Sequence, residues 1–159
     1  MDFILKHHDN IDERREGYVH LYGVAQNCSL LAIKRGLDVE LCTIAGMMHD
    51  VYTYKEGYVK EHAVLGADIA ENILRGMELF TDEEIAIIKT AICHHSDKKI
   101  VHDPYSEVLK DADVLQNSLY NVSFEVKHRK RLKQAYKDLG IKVKLKKKED
   151  KKKGLTIND

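Results

Sequence analysis

Proline occurs once in 159 residues, glycines are scattered rather than clustered, and segments of alternating polarity are missing. Those absences argue against a β-rich or linker-rich chain and leave helices almost throughout. Cysteine is scarce as well. Cys28, Cys42 and Cys93 are an odd number with no CxxC pair, which argues against a disulfide scaffold and against a thiolate zinc site. Their expected place is as small side chains in the core. No apolar run approaches the ~18 residues needed to cross a bilayer. The opening MDFILKHHDN lacks a basic start followed by an apolar stretch and a small-residue cleavage site, so the expected compartment is the cytoplasm.

What the chain does have is charge and histidine. With 43% apolar and 33% charged residues it has a globular composition, and its length suits one domain with a continuous core. The net charge of zero hides an asymmetry. Residues 1–126 carry 12 Lys/Arg against 22 Asp/Glu, whereas residues 127–153 carry 14 against 3. The expected organisation is a helical domain over 1–126, a basic terminal helix over 127–140 packed on it, and a Lys-rich mobile tail over 141–159. A brief strand at Ile141–Leu145 is the alternative for part of that tail. Such a basic end meets nucleic acid in some proteins and is a solvated extension in more of them.

Periodicity predicts a first helix from Asp12 to Lys34 with His20, Val24, Cys28 and Leu31 on one stripe, ended by Gly36. Asp38 has N-cap chemistry for a second helix, whose apolar face is Leu41, Ile44, Ala45 and Met48 and whose last turn ends in His49-Asp50. A polar, Tyr-rich loop is expected next. A third helix over Tyr58–Arg75 aligns His62, Leu65, Gly66, Ile69 and Ile73. Thr81 with Glu84 forms a capping box for a fourth, with Ile85, Ile88, Ile92 and His95 on its stripe and His94 one step round. Asp103-Pro104 opens a fifth helix carrying Asp111, Asp113, Leu115 and Leu119. A last helix is expected over Phe124–Leu139.

Three His-Asp dipeptides occur: His8-Asp9, His49-Asp50 and His102-Asp103. Only His49-Asp50 follows an apolar run, LCTIAGMM, and so ends a buried helix. A carboxylate placed there is costly unless it is paired, hydrogen-bonded or bound to a cation. His20, His62, His95 and Asp113 lie at or beside the apolar stripes of other helices. Any one of them alone is more commonly a hydrogen-bonded core residue than a ligand. Their joint occurrence favours a shared cation, and helix bundles hold such ions between facing helices.

The segment HLYGVAQNCSLLAIKRGLDVELCTIAGMMHD resembles the first helix and His-Asp pair of the HD-domain metal-dependent phosphohydrolases, with 29 residues from His20 to His49. HAVLGADIAENIL, AICHHS and DADVL resemble later motifs of the same superfamily, and the likeness runs from Tyr18 to Leu119. It implies an all-α orthogonal bundle of five or more core helices with a basic C-terminal extension. It implies His20, His49, Asp50 and Asp113 as metal ligands, with His62 and His95 added where two ions bind and Asp50 bridging them. His94 beside His95 resembles the paired histidines of cyclic-dinucleotide phosphodiesterases, and His95 is the better match because it precedes Ser96. Where some members have a lysine in an HD-I-G-K signature this chain reads HDVYT, placing Thr53 there, with Lys55 as the substitute catalytic residue beside Asp50. The segment VLQNSLYN after Asp113 departs from the members acting on symmetrical diadenosine tetraphosphate, so no substrate is carried over.

The activity implied is hydrolysis of a phosphomonoester, phosphoanhydride or phosphodiester of a nucleotide-type small molecule. One or two divalent ions would acidify a bound water, with Fe or Mn favoured over Zn, Ni or Co. Arg14 and Arg15 are available as phosphate clamps, or simply form an exposed helix face. Tyr52, Tyr54 and Tyr58 either stack on a base and cover the cleft or pack their own loop. The rival reading is a catalytically weak or inactive metal-bearing nucleotide sensor or adaptor. No membrane partner is expected, nucleic acid enters only through the basic end, and a homodimer is left open.

Overall fold

The computed structural model describes Leu5, residues 10–120 and residues 128–142, and the regular structure among them is helical. Helix α1 spans Ile11–Arg35. Asn10 caps it by accepting the backbone N–H groups of Asp12 and Glu13, and Gly36 ends it in the left-handed region at φ 66°, a conformation glycine adopts without strain. Helix α2 spans Val39–Met48, with the Asp38 carboxylate accepting from Leu41 N at 3.0 Å.

The chain then departs from the loop expected after Asp50 and winds a short helix, α3, over Val51–Glu56. No amphipathic period foretells it. What holds it is tertiary: Val51 is fully buried, and Gly57 at φ 94° stops the winding. Helix α4 spans His62–Met77, later than the start expected at Tyr58, because the backbone turns first and His62 N donates to Val59 O at 3.1 Å. Helix α5 spans Asp82–His94, and the Thr81/Glu84 capping box is formed in both directions. Helix α6 spans Pro104–Tyr120, opened by Asp103 accepting from Ser106 N at 3.0 Å. Helix α7 spans Arg129–Asp138. The expected start of that last helix at Phe124, the strand and tail beyond Lys142, and His8-Asp9 lie outside the described residues.

One core joins these helices. Val24, Cys28 and Leu31 of α1 meet Leu41 and Ala45 of α2, Ile88 and Ile92 of α5, and Leu109, Ala112 and Leu115 of α6. Helices α1 and α2 touch backbone to backbone: a Cβ on Gly46 would lie 2.9 Å from Ala25 Cα. That close approach brings His20 near the C-terminal end of α2. Burial pushes the Cys28 thiol well up and the Cys42 thiol to about 12, so both remain protonated core side chains.

A buried ionic chain fastens α7. Arg35 of α1 bonds Asp111 at 2.7 Å and Asp138 at 2.8 Å, and Arg131 bonds Asp111 at 3.0 Å and Glu107 at 2.7 Å. Lys110, fully buried, completes it through Glu107 at 2.7 Å and the Ile100 carbonyl at 3.0 Å. Each charge is thus compensated, as burial requires. Among the described residues, no helix is long and apolar enough to cross a membrane.

Candidate metal centre

Six side chains from separate elements converge at one end of the core. His20 comes from the middle of α1, His49 caps α2, Asp50 precedes α3, His62 opens α4, His95 caps α5, and Asp113 lies within α6. Three of the histidines use the same local device. His49 Nδ1 donates to Gly46 O at 2.9 Å, His62 Nδ1 to Val59 O at 2.8 Å, and His95 Nδ1 to Ile92 O at 2.7 Å. A carbonyl can only accept, so each bond fixes the proton on Nδ1 and turns Nε2 inward, as ligand histidines are held.

The inward nitrogens then meet in pairs. His20 Nε2 lies 3.2 Å from His49 Nε2, and His62 Nε2 lies 3.2 Å from His95 Nε2. Two ring nitrogens facing each other this closely need a proton on one of them or a cation between them. Asp50 stands between the pairs. Its Oδ2 is 3.2 Å from His49 and 3.6 Å from His20, while its Oδ1 is 3.3 Å from His95 and 3.7 Å from His62. Two triads capable of holding a metal, His20-His49-Asp50 and Asp50-His62-His95, therefore share one carboxylate. Asp113 joins the first triad, with Oδ1 3.6 Å from His20 Nε2 and accepting from Asn117 Nδ2 at 2.8 Å. Mixed imidazole and carboxylate donors of this kind fit a divalent transition metal.

The electrostatics agree with a cation site. Burial opposes ionisation of Asp50, yet His49, His20 and His95 outweigh it and hold the carboxyl well below its usual range. Asp113 is likewise ionised: burial is overcome by Lys98 and then by His49 and His20. For His49, burial disfavours the charged ring, but Asp50 and then Asp113 outweigh it and lift it to about 9. Burial dominates at His95 and lowers it.

A cleft of about 370 Å³ opens onto the cluster, with Tyr58, Ser96, Lys98, Asn117, Ser118 and His128 among its walls. His94 is not part of this cluster. It contacts Ser106 Oγ at 3.2 Å and stacks on His102 with ring centres 3.9 Å apart, so of the adjacent pair only His95 faces Asp50. Lys55 corrects an expectation: its side chain is half exposed and ion-pairs with Glu56. Thr53 lines the cleft, and two further residues along a helix turn the chain by about 200°, which carries Lys55 to the opposite face. Arg15 is exposed on Asp12. Of the tyrosines, Tyr58 flanks His62 with ring centres 5.0 Å apart, whereas Tyr54 packs over Gly17 and its phenol is pushed up by burial, then by Asp50.

Lys98 and Asn117, wall residues bonded to Asp113, are absent from the expected site. Lys98 Nζ bonds Asp113 Oδ2 at 2.5 Å and the His95 carbonyl at 3.0 Å. Nothing in the HHSDKK segment marks which lysine turns inward. Asn117 had a signal, since it lies four residues after Asp113 and hence on the same face of α6.

The HD domain family matches residues 17–118, so the chain belongs to that family and, in the general sense, to the metal-dependent phosphohydrolases. Among curated proteins it is similar to Ribonuclease Y of Pelobacter propionicus, 31% identical over 83 residues, which are 52% of this chain and 14% of that protein. The chain therefore spans about one-seventh of that relative's length. A crystal structure of a predicted HD superfamily hydrolase from an uncultured Thermotogales bacterium superposes with a TM-score of 0.63 at 24% identity, covering 85% of this chain and 82% of that one. That likeness establishes the fold as the all-α HD type.

Proposed function

We propose that the chain hydrolyses a phosphate ester or anhydride of a nucleotide-type small molecule at a centre held by His20, His49, Asp50, His62, His95 and Asp113. The observation that carries this reading is Asp50, with one oxygen directed at His20 and His49 and the other at His62 and His95, at the floor of an open cleft. Divalent ions bound there would acidify a water and neutralise phosphoryl oxygens, and the imidazole-carboxylate set favours Fe or Mn, with Zn, Ni and Co as the other candidates.

The chain's own residues do the positioning. The Gly46, Val59 and Ile92 carbonyls orient three imidazoles, and Asn117 fixes Asp113. Tyr58, 74% exposed at the rim, offers a ring face to a nucleobase. The test is to measure Mn, Fe, Zn, Ni and Co in protein purified without chelator, then assay phosphomonoesters, phosphoanhydrides and phosphodiesters with each ion. His20→Ala and Asp113→Ala should lose metal and turnover together. Full metal content and activity in both variants would sink the proposal. Tight nucleotide binding with no turnover under any metal would instead favour the sensor reading.

The partial likeness to Ribonuclease Y supports a second substrate class, a phosphodiester of RNA. The start of α7 favours it, since His128 lines the cleft and the helix continues with Arg129, Lys130 and Lys133. Short oligoribonucleotides in the same assay separate the two, because a strand engaging α7 would be turned over with a steep salt dependence that a mononucleotide lacks.

A further inference from the structure

The cleft walls carry a single lysine or arginine among the described residues, Lys98. Of the other buried or half-buried cations, Arg35, Lys110 and Arg131 are engaged in the ionic chain behind α6 and Lys89 with Asp68 and Glu71, while Arg14 and Arg129 are not among the cleft walls. Lys98 is held in place, with its side chain 13% exposed and its ammonium tied to both Asp113 Oδ2 and the His95 carbonyl. An ammonium has three N–H donors. Two are spent on these partners, the described residues offer no partner for the third, and Lys98 itself lines the cleft.

We propose that Lys98 is the anion-recognition residue of this cleft, donating its third N–H to a phosphoryl oxygen of the substrate beside the metal centre. The proposal rests on the reading of the site as a phosphohydrolase centre. Its chemistry follows from placement. A phosphate drawn to the cluster meets the carboxylates of Asp50 and Asp113 at the floor, and a cation anchored between two helices offsets them without having to be ordered on binding. Asp113 uses separate oxygens for the two tasks: Oδ1 faces His20, and Oδ2 holds Lys98. Lys98 can therefore stay in position while Oδ1 serves the centre. Ser96 and Ser118 add neutral hydroxyls to the same cleft.

The test titrates inorganic phosphate into the Mn²⁺-loaded full chain by calorimetry, comparing wild type with Lys98→Gln and Lys98→Arg, with metal content measured on the same samples. Loss of a charged hydrogen bond is expected to weaken phosphate binding about 10- to 100-fold in K98Q. K98Q should hold metal as well as wild type or better, since a positive charge beside the site has gone. K98R should restore part of the phosphate affinity, and in turnover K98Q should raise KM for a phosphomonoester. K98Q that binds phosphate like wild type would overturn the proposal. So would K98Q and K98R that both lose metal, because Lys98 would then serve only to hold Asp113. Wild-type protein that takes up no metal defeats the underlying reading of the site, and this proposal with it.

Discussion

Because His49 is held at about 9 in the metal-free site, a divalent ion entering at neutral pH must displace a proton from it. At pH 7 a ring titrating there is about 99% protonated, and removing its proton costs about 2.7 kcal/mol. Asp50 and Asp113 are already ionised, and His95, lowered by burial, is already the neutral ring. Mn²⁺ uptake at pH 7 should therefore release about one proton, and apparent affinity should rise about tenfold per pH unit up to pH 9, then level off. Calorimetry in buffers of different ionisation enthalpy counts the protons. Without metal the sign is opposite. A raised histidine contributes stability that is fully present below its ordinary value of 6.5 and is lost as pH rises through 9, so the metal-free protein should weaken across that window. Zero proton release together with pH-independent affinity would refute the reasoning.

Other consequences follow from the geometry. Lys55→Ala should leave kcat/KM within about twofold of wild type, because the side chain sits on the exposed face with Glu56, and a large loss would restore it to the site. Glu107 is held at about 2: burial would raise it, but Arg131 and Lys110 outweigh that. Its contribution, on the order of 2 kcal/mol after solvent screening, is present above 4.5 and lost as pH falls through 2, so Glu107→Gln should flatten that part of the urea-midpoint profile. Gly46→Ala should lower Tm by several degrees. The helix gains about 1 kcal/mol from alanine, but a Cβ placed 2.9 Å from both Ala25 Cα and Cys28 Sγ costs about 1–3 kcal/mol or more, since backbone must move.

Much of the fold is legible because helix ends are local chemistry. Asp38, the Thr81/Glu84 pair and Asp103-Pro104 each announce a helix start by residue type alone, and the structure uses all three. Helix α3 is not legible, since burial of Val51 stabilises it and burial is a property of the whole bundle. In the site, the histidines and aspartates are marked by their apolar surroundings and by likeness to the HD motifs. Which face of its helix a residue takes still had to be seen for His94 and Lys55. Lys98 is invisible in the sequence because its role arises where the turn after α5 meets α6, and no one-dimensional period connects those segments.

Crystals of the full chain soaked in Mn²⁺ and measured at the manganese absorption edge test the central claim most directly. Anomalous peaks are predicted among His20, His49, Asp50 and Asp113, and among Asp50, His62 and His95, with Asp50 reaching both. Peaks only elsewhere on the surface, or none at all with these six side chains unmoved, would contradict the account.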